Sequence, residues 1–212
     1  MTVPLQAAAA TGLARRLPVE TSEMDADVQP RYSSVHQTLH WVTVFLMLAV
    51  LPLGWVVISL PEDTPIFYSW LYIHEGVGLV ILFLTIFRIG WRIHDGPPAL
   101  PKSIRRWSRH AVHLVYFALF AGMVVMPLSG YLWSTGHGHE VVPFDLISFP
   151  KIAFGSAFIG DAAKAIHQYG QWVIYALIGV HLSGVSYHLI ARRDGILGRM
   201  LPPNATEPAL DQ

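Results

Sequence analysis

The sequence predicts an all-α membrane protein built as a bundle of four transmembrane helices. Of its 212 residues, 53% are hydrophobic and only 13% are charged, a composition typical of membrane proteins rather than soluble ones. Four apolar segments reach the length of about 20 residues that a helix needs to cross a bilayer. Because backbone groups in hydrocarbon must satisfy their own hydrogen bonds, we expect these segments to be helices.

The four helices are expected near residues 39–60, 70–91, 111–133 and 170–190. Pro52 and Pro127 lie inside the first and third segments, where each removes a backbone donor and should kink its helix. Tryptophan and tyrosine gather near the segment ends, where such rings anchor at the membrane interface. They include Trp70, Tyr72, Trp91, Trp133 and Trp172.

One domain over residues 32–202 contains all four helices, and a tail is expected on either side of it. Residues 1–31 lack the hydrophobic core of a signal peptide and should form a disordered cytoplasmic tail. Residues 203–212 should form a flexible cytoplasmic tail. The loop at 134–166 is longer than most connections, and its aromatic residues favour an ordered cap on the outer membrane surface.

The distribution of lysine and arginine predicts the orientation of the helices. The connection after the second helix and the C-terminal tail are rich in cations, whereas loop 61–69 carries Glu62 and Asp63 and no cation. The positive-inside rule therefore places both termini in the cytoplasm and the first and third loops outside. The cations are Arg92, Lys102, Arg105, Arg106, Arg109, Arg192, Arg193 and Arg199.

Charge and cysteine content exclude several classes of function. The formal net charge is zero, so no basic field predicts binding to nucleic acid. The absence of cysteine excludes structural disulfides, iron–sulfur clusters, cysteine-ligated zinc and covalently attached c-type haem. A metal centre would therefore depend on the 11 histidines, the carboxylates or methionine.

Four histidines are spaced to form two pairs inside the bundle. His167 and His181 are fourteen residues apart, which on a helix is close to four turns and a rise of about 21 Å, so both point the same way. By depth, His74 pairs with His167 at the outer side, and His40 pairs with His181 at the cytoplasmic side. Imidazoles that converge from two helices can ligate haem iron, so the sequence predicts two non-covalent haem b groups.

Arg88 and several glycines are compatible with this interpretation. Arg88 follows His74 by fourteen residues and lies on the same helix face. An arginine in a membrane needs an anionic partner, which could be a haem propionate or, by snorkelling, a lipid phosphate. The glycines could admit a flat macrocycle or simply allow close helix packing. They are Gly76, Gly78, Gly122, Gly130, Gly179 and Gly184.

The remaining histidines leave alternatives open. Five of them are expected at helix ends, where interfacial snorkelling explains a histidine without any cofactor; these are His36, His94, His110, His113 and His188. His113 and His188 face the cytoplasmic half and compete with His181 as a ligand. A loop cluster has the ligand types of a zinc or copper site, although a solvated loop is expected; it comprises His137, His139 and Glu140.

In order and spacing, these residues resemble the bacterial cytochrome b561 family of four-helix, di-haem membrane proteins, over roughly residues 32–202. The resemblance is carried by SSVHQTLHW at 33–41, by IHE at 73–75 followed by Arg88, by VPFD at 142–145 with SFP at 148–150, and by IH at 166–167 through GVH at 179–181. It implies haem ligands at His40, His74, His167 and His181. Asp145 departs from the apolar or aromatic residue expected at its position.

The resemblance implies a multi-pass cytochrome of the bacterial inner membrane that transfers electrons between a donor and the quinone pool. Some relatives resemble superoxide-to-ubiquinone oxidoreductases, so superoxide is one candidate donor. The alternative is a cytochrome b anchor subunit that relays electrons from a soluble hydrogenase or dehydrogenase partner. A histidine-lined metal permease without haem is disfavoured, because Glu75 is almost alone as an intramembrane carboxylate.

Overall fold

Four long helices dominate the computed structural model, which describes residues 31–99, 106–153 and 155–202. Helix α1 spans Ser34–Ser59, α2 spans Pro65–Asp95, α3 spans Arg106–Gly136 and α4 spans Ala157–Tyr187. Each is long and apolar enough to cross a membrane. The predicted all-α fold with four membrane-length helices is confirmed. The tails predicted at residues 1–31 and 203–212 lie outside the described residues, except for residue 31.

Helix α4 begins well before the segment predicted at 170–190. Residues 157–169 include Asp161, Lys164 and His167, and these polar residues keep the first turns of the helix below the hydropathy that marks a membrane span. The connection from α3 to α4 is consequently shorter than the predicted loop at 134–166. His167 lies inside the helix rather than at its start, so its depth and direction are fixed by turns on both sides.

The helices pack in chain order, with α1 against α2, α2 against α3, and α3 against α4. The backbones of α3 and α4 approach closely at Gly136 and Gly160, where a Cβ on Gly136 would lie 2.5 Å from the Gly160 Cα, so small residues permit the contact. Helices α1 and α4 meet mainly through side chains, such as Trp55, whose Nε1 donates to Tyr175 Oη at 2.8 Å. Large apolar side chains such as Phe117, 72% exposed, face outward toward lipid.

The two ends of the bundle are built differently. At the terminal end, which we define by Tyr32, Asp95 and Arg199, the chain after α4 folds back, and the Tyr32 amide donates to the Arg199 carbonyl at 3.1 Å. At the opposite end, the loop end, the α3–α4 connection forms a 3₁₀ turn at Pro143–Asp145. An isolated bridge joins Val141 to Phe149 there. One of the two histidine pairs described below lies nearer each end.

Candidate haem-binding site

The rings of His40 and His181 face each other near the terminal end. Their centroids are 6.3 Å apart, with the ring planes at 66°. Trp41 packs edge-on against His40 at 5.5 Å, and Tyr116 of α3 lies 6.5 Å from His181. Neither histidine ring makes a hydrogen bond within the described part of the chain, which leaves ring nitrogens free to bind a metal.

The rings of His74 and His167 face each other near the loop end, with centroids 6.2 Å apart and planes at 82°. Nδ1 of His167 lies 2.9 Å from the Met126 carbonyl and 3.2 Å from Ser129 Oγ. A backbone acceptor at Nδ1 fixes the ring orientation and leaves Nε2 as the nitrogen available to a metal. Nδ1 of His74 is buried without a well-formed hydrogen bond in the described residues, although the Val50 carbonyl lies beside it.

Both ring separations fit a metal ion held between two imidazoles. Metal–nitrogen bonds of about 2 Å on either side place ring centroids about 6 Å apart, close to the two separations observed. No group of three or more His, Cys, Asp or Glu side chains able to hold a metal occurs among the described residues. A site with only two protein ligands suits haem iron, because the porphyrin supplies the equatorial nitrogens.

Glycines at two positions give the loop-end rings their space. A Cβ on Gly130 would lie 3.0 Å from His167 Cε1, and one on Gly54 would lie 3.3 Å from His74 Cε1. Gly76 instead receives the ring of Phe144, which a Cβ would meet at 2.6 Å. Of the other candidate glycines, Gly122 allows α3–α4 packing against Ile174, a Cβ on Gly78 would lie 3.9 Å from the Pro127 Cβ, and Gly179 and Gly184 face open space.

Arg88 points into the bundle at the terminal-end pair. Its Nη1 donates to Thr43 Oγ1 at 2.9 Å, and its guanidinium carbon lies 5.0 Å from the centroid of the Phe120 ring. Arg88 forms no ion pair with any carboxylate in the described residues. An inward cation without an acid fits a haem propionate, whereas snorkelling to a lipid phosphate would turn the side chain outward.

The competing histidines have partners of their own. Nδ1 of His188 lies 2.7 Å from Asp194 Oδ2, beyond the end of α4. Nδ1 of His113 lies 2.6 Å from the Arg109 carbonyl of its own helix, and its side chain lines a separate cavity of about 190 Å³ at the terminal end. Neither ring is paired with a second imidazole in the described residues.

In the loop cluster of His137, His139 and Glu140, two residues contact neighbouring groups of the protein. Nε2 of His137 lies 3.1 Å from Asp161 Oδ1, and its Nδ1 lies 3.0 Å from the Trp133 carbonyl. Glu140 accepts from Ser148 Oγ at 3.1 Å and pairs with Lys151 at 3.7 Å. These contacts agree with the expected solvated loop.

Glu75 and Phe144 make contacts with other elements that the sequence did not predict. Glu75 accepts from Ser134 Oγ at 3.1 Å and from the Val142 amide at 3.3 Å, so it ties α2 to the end of α3 and to the loop. Phe144 has a positive φ of 55°, and its ring lies on Gly76. Asp145 is exposed. The aromatic contact with α2 is made by the neighbouring Phe144, so the departure at position 145 does not remove it.

Two comparisons with known proteins bear on the family of this chain. Residues 31–203 match the family described as prokaryotic cytochrome b561. The chain is also similar to cytochrome b561 homolog 2 of Escherichia coli strain K12, with 23% identity over 177 residues that cover 84% of this chain and 94% of that protein. The family match spans all four helices and both histidine pairs.

Proposed function

The chain belongs to the prokaryotic cytochrome b561 family, and from this premise we propose that it binds two non-covalent haem b groups and carries electrons between a donor and the quinone pool. Family membership already makes it a membrane b-type cytochrome of electron transfer. The observation that carries the finer proposal is the pair of imidazole contacts, each with the ring separation that one bridging metal ion requires.

We assign His40 and His181 as the residues that would hold haem iron at the terminal end, and His74 and His167 as those that would hold it at the loop end. When bound, the two haems supply one-electron exchange between Fe(III) and Fe(II). Two imidazoles per iron leave no open coordination position, so the side chains favour outer-sphere electron transfer over binding of oxygen. The Met126 carbonyl holds the His167 ring, which limits reorganisation when the charge changes.

The spacing of the ligands on α4 supports transfer between the two sites. His167 and His181 are separated by fourteen residues, a rise of about 21 Å, and each macrocycle would span part of that gap. Arg88 compensates negative charge at the terminal-end site only. A cation beside one site favours the electron there, so we propose transfer from the loop end toward the terminal end.

We further propose that the protein lies in the inner membrane with both termini in the cytoplasm, because the cations cluster at the terminal end. Electrons would then enter from outside, and superoxide is a candidate donor with ubiquinone as acceptor. The loop end offers superoxide little electrostatic attraction, because Lys151 is paired with Glu140, and Asp145 and Asp161 offset the charge of Lys164. Lys164 Nζ lies 5.5 Å from the centroid of the Trp133 ring, and that ring lies 5.9 Å from the His167 ring.

Haem content of four variants tests the ligand assignment. Alanine at His40 or His181 should remove the terminal-end haem, and alanine at His74 or His167 should remove the loop-end haem. Each variant should fall from two haems to one per chain in a pyridine haemochrome assay, while His188→Ala and His113→Ala should retain two. Full occupancy in all four ligand variants would refute the assignment.

The donor is tested by mixing the oxidised protein with superoxide, with quinol and with candidate soluble donors in a stopped-flow spectrometer. Fast reduction by superoxide followed by reoxidation with ubiquinone supports the superoxide proposal. Reduction that requires a co-purifying soluble subunit would instead favour the anchor-subunit function. A protein without haem absorption after expression with ample haem would contradict both.

A further inference from the structure

The terminal end contains a half-buried histidine, His36, that the ligand assignment does not use. His36 lies on α1 one helical turn, about 6 Å, before His40, and its side chain is 11% exposed. Nδ1 of His36 lies 3.0 Å from Asp95 Oδ2, and Nε2 is buried without a hydrogen-bond partner in the described part of the chain. Because an unpaired buried nitrogen is costly, this one indicates a group that binds there.

Asp95 determines which nitrogen of His36 carries the first proton. Asp95 Oδ2 also accepts from Ser33 Oγ at 2.7 Å, and a carboxylate beside Nδ1 favours a proton on that nitrogen. Neutral His36 then has a lone pair at Nε2, whereas the protonated ring has a second N–H donor there. The Asp95 side chain is 37% exposed, so it connects the ring to solvent.

The charged groups around His36 favour an anion as the missing partner. Arg88 and Arg92 of α2 lie within electrostatic range of the ring, together with Asp95, and the Tyr32 ring lies 5.6 Å away. These groups bring two fixed cations and one carboxylate to the same region. Arg88 in turn acts on His40, so the excess positive charge extends from His36 to the proposed ligand.

The position of His36 relative to the proposed haem-binding pair indicates which anion fits. His40 and His181 approach each other across the bundle, and the propionates are the anionic groups of a haem that they would hold. His36, Arg92 and Asp95 lie on the side of His40 nearer the terminal end. Resting on the proposed function, we infer that His36, held by Asp95, donates a hydrogen bond from Nε2 to a propionate of the terminal-end haem, alongside Arg88.

This contact couples electron transfer to proton uptake. Only the protonated His36 ring can donate from Nε2 while Nδ1 donates to Asp95. Adding one electron to the site makes its surroundings more negative and therefore favours addition of one proton to His36, taken from solvent past Asp95. Removing the electron releases that proton. Protonated His36 stabilises the reduced site, so the midpoint potential should fall as pH rises and the ring loses its proton.

Redox titration of the purified full-length protein at several pH values tests this inference. His36→Gln keeps polarity but carries no charge, so the terminal-end midpoint should be lower than wild type at acidic pH and should depend less on pH. Asp95→Asn should flatten the same dependence without changing a buried side chain. The matched control is His110→Gln, which alters an exposed histidine at the start of α3 and should behave as wild type.

The outcomes separate this inference from the proposed function. Haem content is measured first, and a wild-type protein with other than two haems per chain refutes the proposed function itself. With two haems present, terminal-end titration curves that superimpose for wild type, His36→Gln and Asp95→Asn would overturn the role of His36, as would an effect confined to the loop-end haem. Proton uptake on reduction, followed with a pH indicator dye, should fall in both variants and remain unchanged in His110→Gln.

Discussion

The two histidine pairs have nearly the same separation but are supported by different interactions. At the loop end, the His167 ring is held by the Met126 carbonyl and Ser129 and packs closely against the backbone of Gly130. At the terminal end, the His40 and His181 rings make no hydrogen bond in the described residues, and Arg88 and other charges stand nearby. One pair is thus fixed by packing and hydrogen bonds, while the other is influenced by charge.

The difference implies that reorganisation on electron transfer and redox potential are controlled at different ends of the bundle. Under the proposed function, close packing and a fixed ring would limit movement, so the loop-end haem should exchange electrons with little reorganisation. Nearby cations would stabilise an added electron, so the terminal-end haem should have the higher potential. Variants that act on packing should therefore affect the loop end, and variants that act on charge should affect the terminal end.

The largest effect is expected from Gly130→Leu. A side chain at Gly130 would collide with the His167 ring, because even a Cβ would lie 3.0 Å from its Cε1. The variant should lose the loop-end haem and retain the terminal-end haem, as measured by haemochrome content and redox titration. Gly184→Leu is the matched control, since a Cβ there meets nothing within 4 Å, and it should retain both. Two haems in Gly130→Leu would show that packing does not fix the loop-end site.

An intermediate effect is expected from Arg88→Leu. Loss of one partly buried cation near His40 should lower the midpoint potential of the terminal-end haem by roughly 40–90 mV. This corresponds to about 1–2 kcal/mol for one electron. Potentiometric titration should show the loop-end potential almost unchanged. Arg88→Lys keeps the charge and should cause a smaller shift. Equal shifts at both haems would contradict a terminal end tuned by its own charges.

The smallest effect is expected from Ser129→Ala. This change removes one hydroxyl from His167 Nδ1 but keeps the Met126 carbonyl at 2.9 Å. The loop-end potential should shift by about 0.5–1 kcal/mol, or roughly 20–40 mV, with haem content unchanged. Ser183→Ala offers a control, because its hydroxyl donates to its own helix at the Gly179 carbonyl. If Ser129→Ala shifted the loop-end potential by more than Arg88→Leu shifts the terminal-end potential, the terminal end would not be the end more strongly tuned by its surroundings.

Much of the candidate site could be predicted from the chain because helix geometry is regular. A spacing of fourteen residues fixes both the direction and the depth difference of His167 and His181. The same regularity placed Arg88 on the face of His74. The predicted start of α4 was wrong, because its first turns are polar and lack the apolar run by which a membrane span is recognised.

Contacts between distant segments could not be predicted in this way. Nothing in the local sequence indicates that Phe144 rests on Gly76, that Gly54 borders His74, or that Asp95 meets His36. Each of these pairs joins elements whose relative rotation is set by packing along their whole length. Among the suspected glycines, Gly130 borders a histidine, whereas Gly179 and Gly184 face open space.

The sequence by itself determined the number of membrane-length helices, the absence of cysteine chemistry and the face and depth of the four histidines, because hydropathy and the helical repeat act along one segment at a time. Only the tertiary structure decided which ring nitrogens are engaged and which end of the bundle is packed and which is charged. These properties depend on distances of a few ångströms between separate helices and loops, and such distances are set by the packing of the entire bundle.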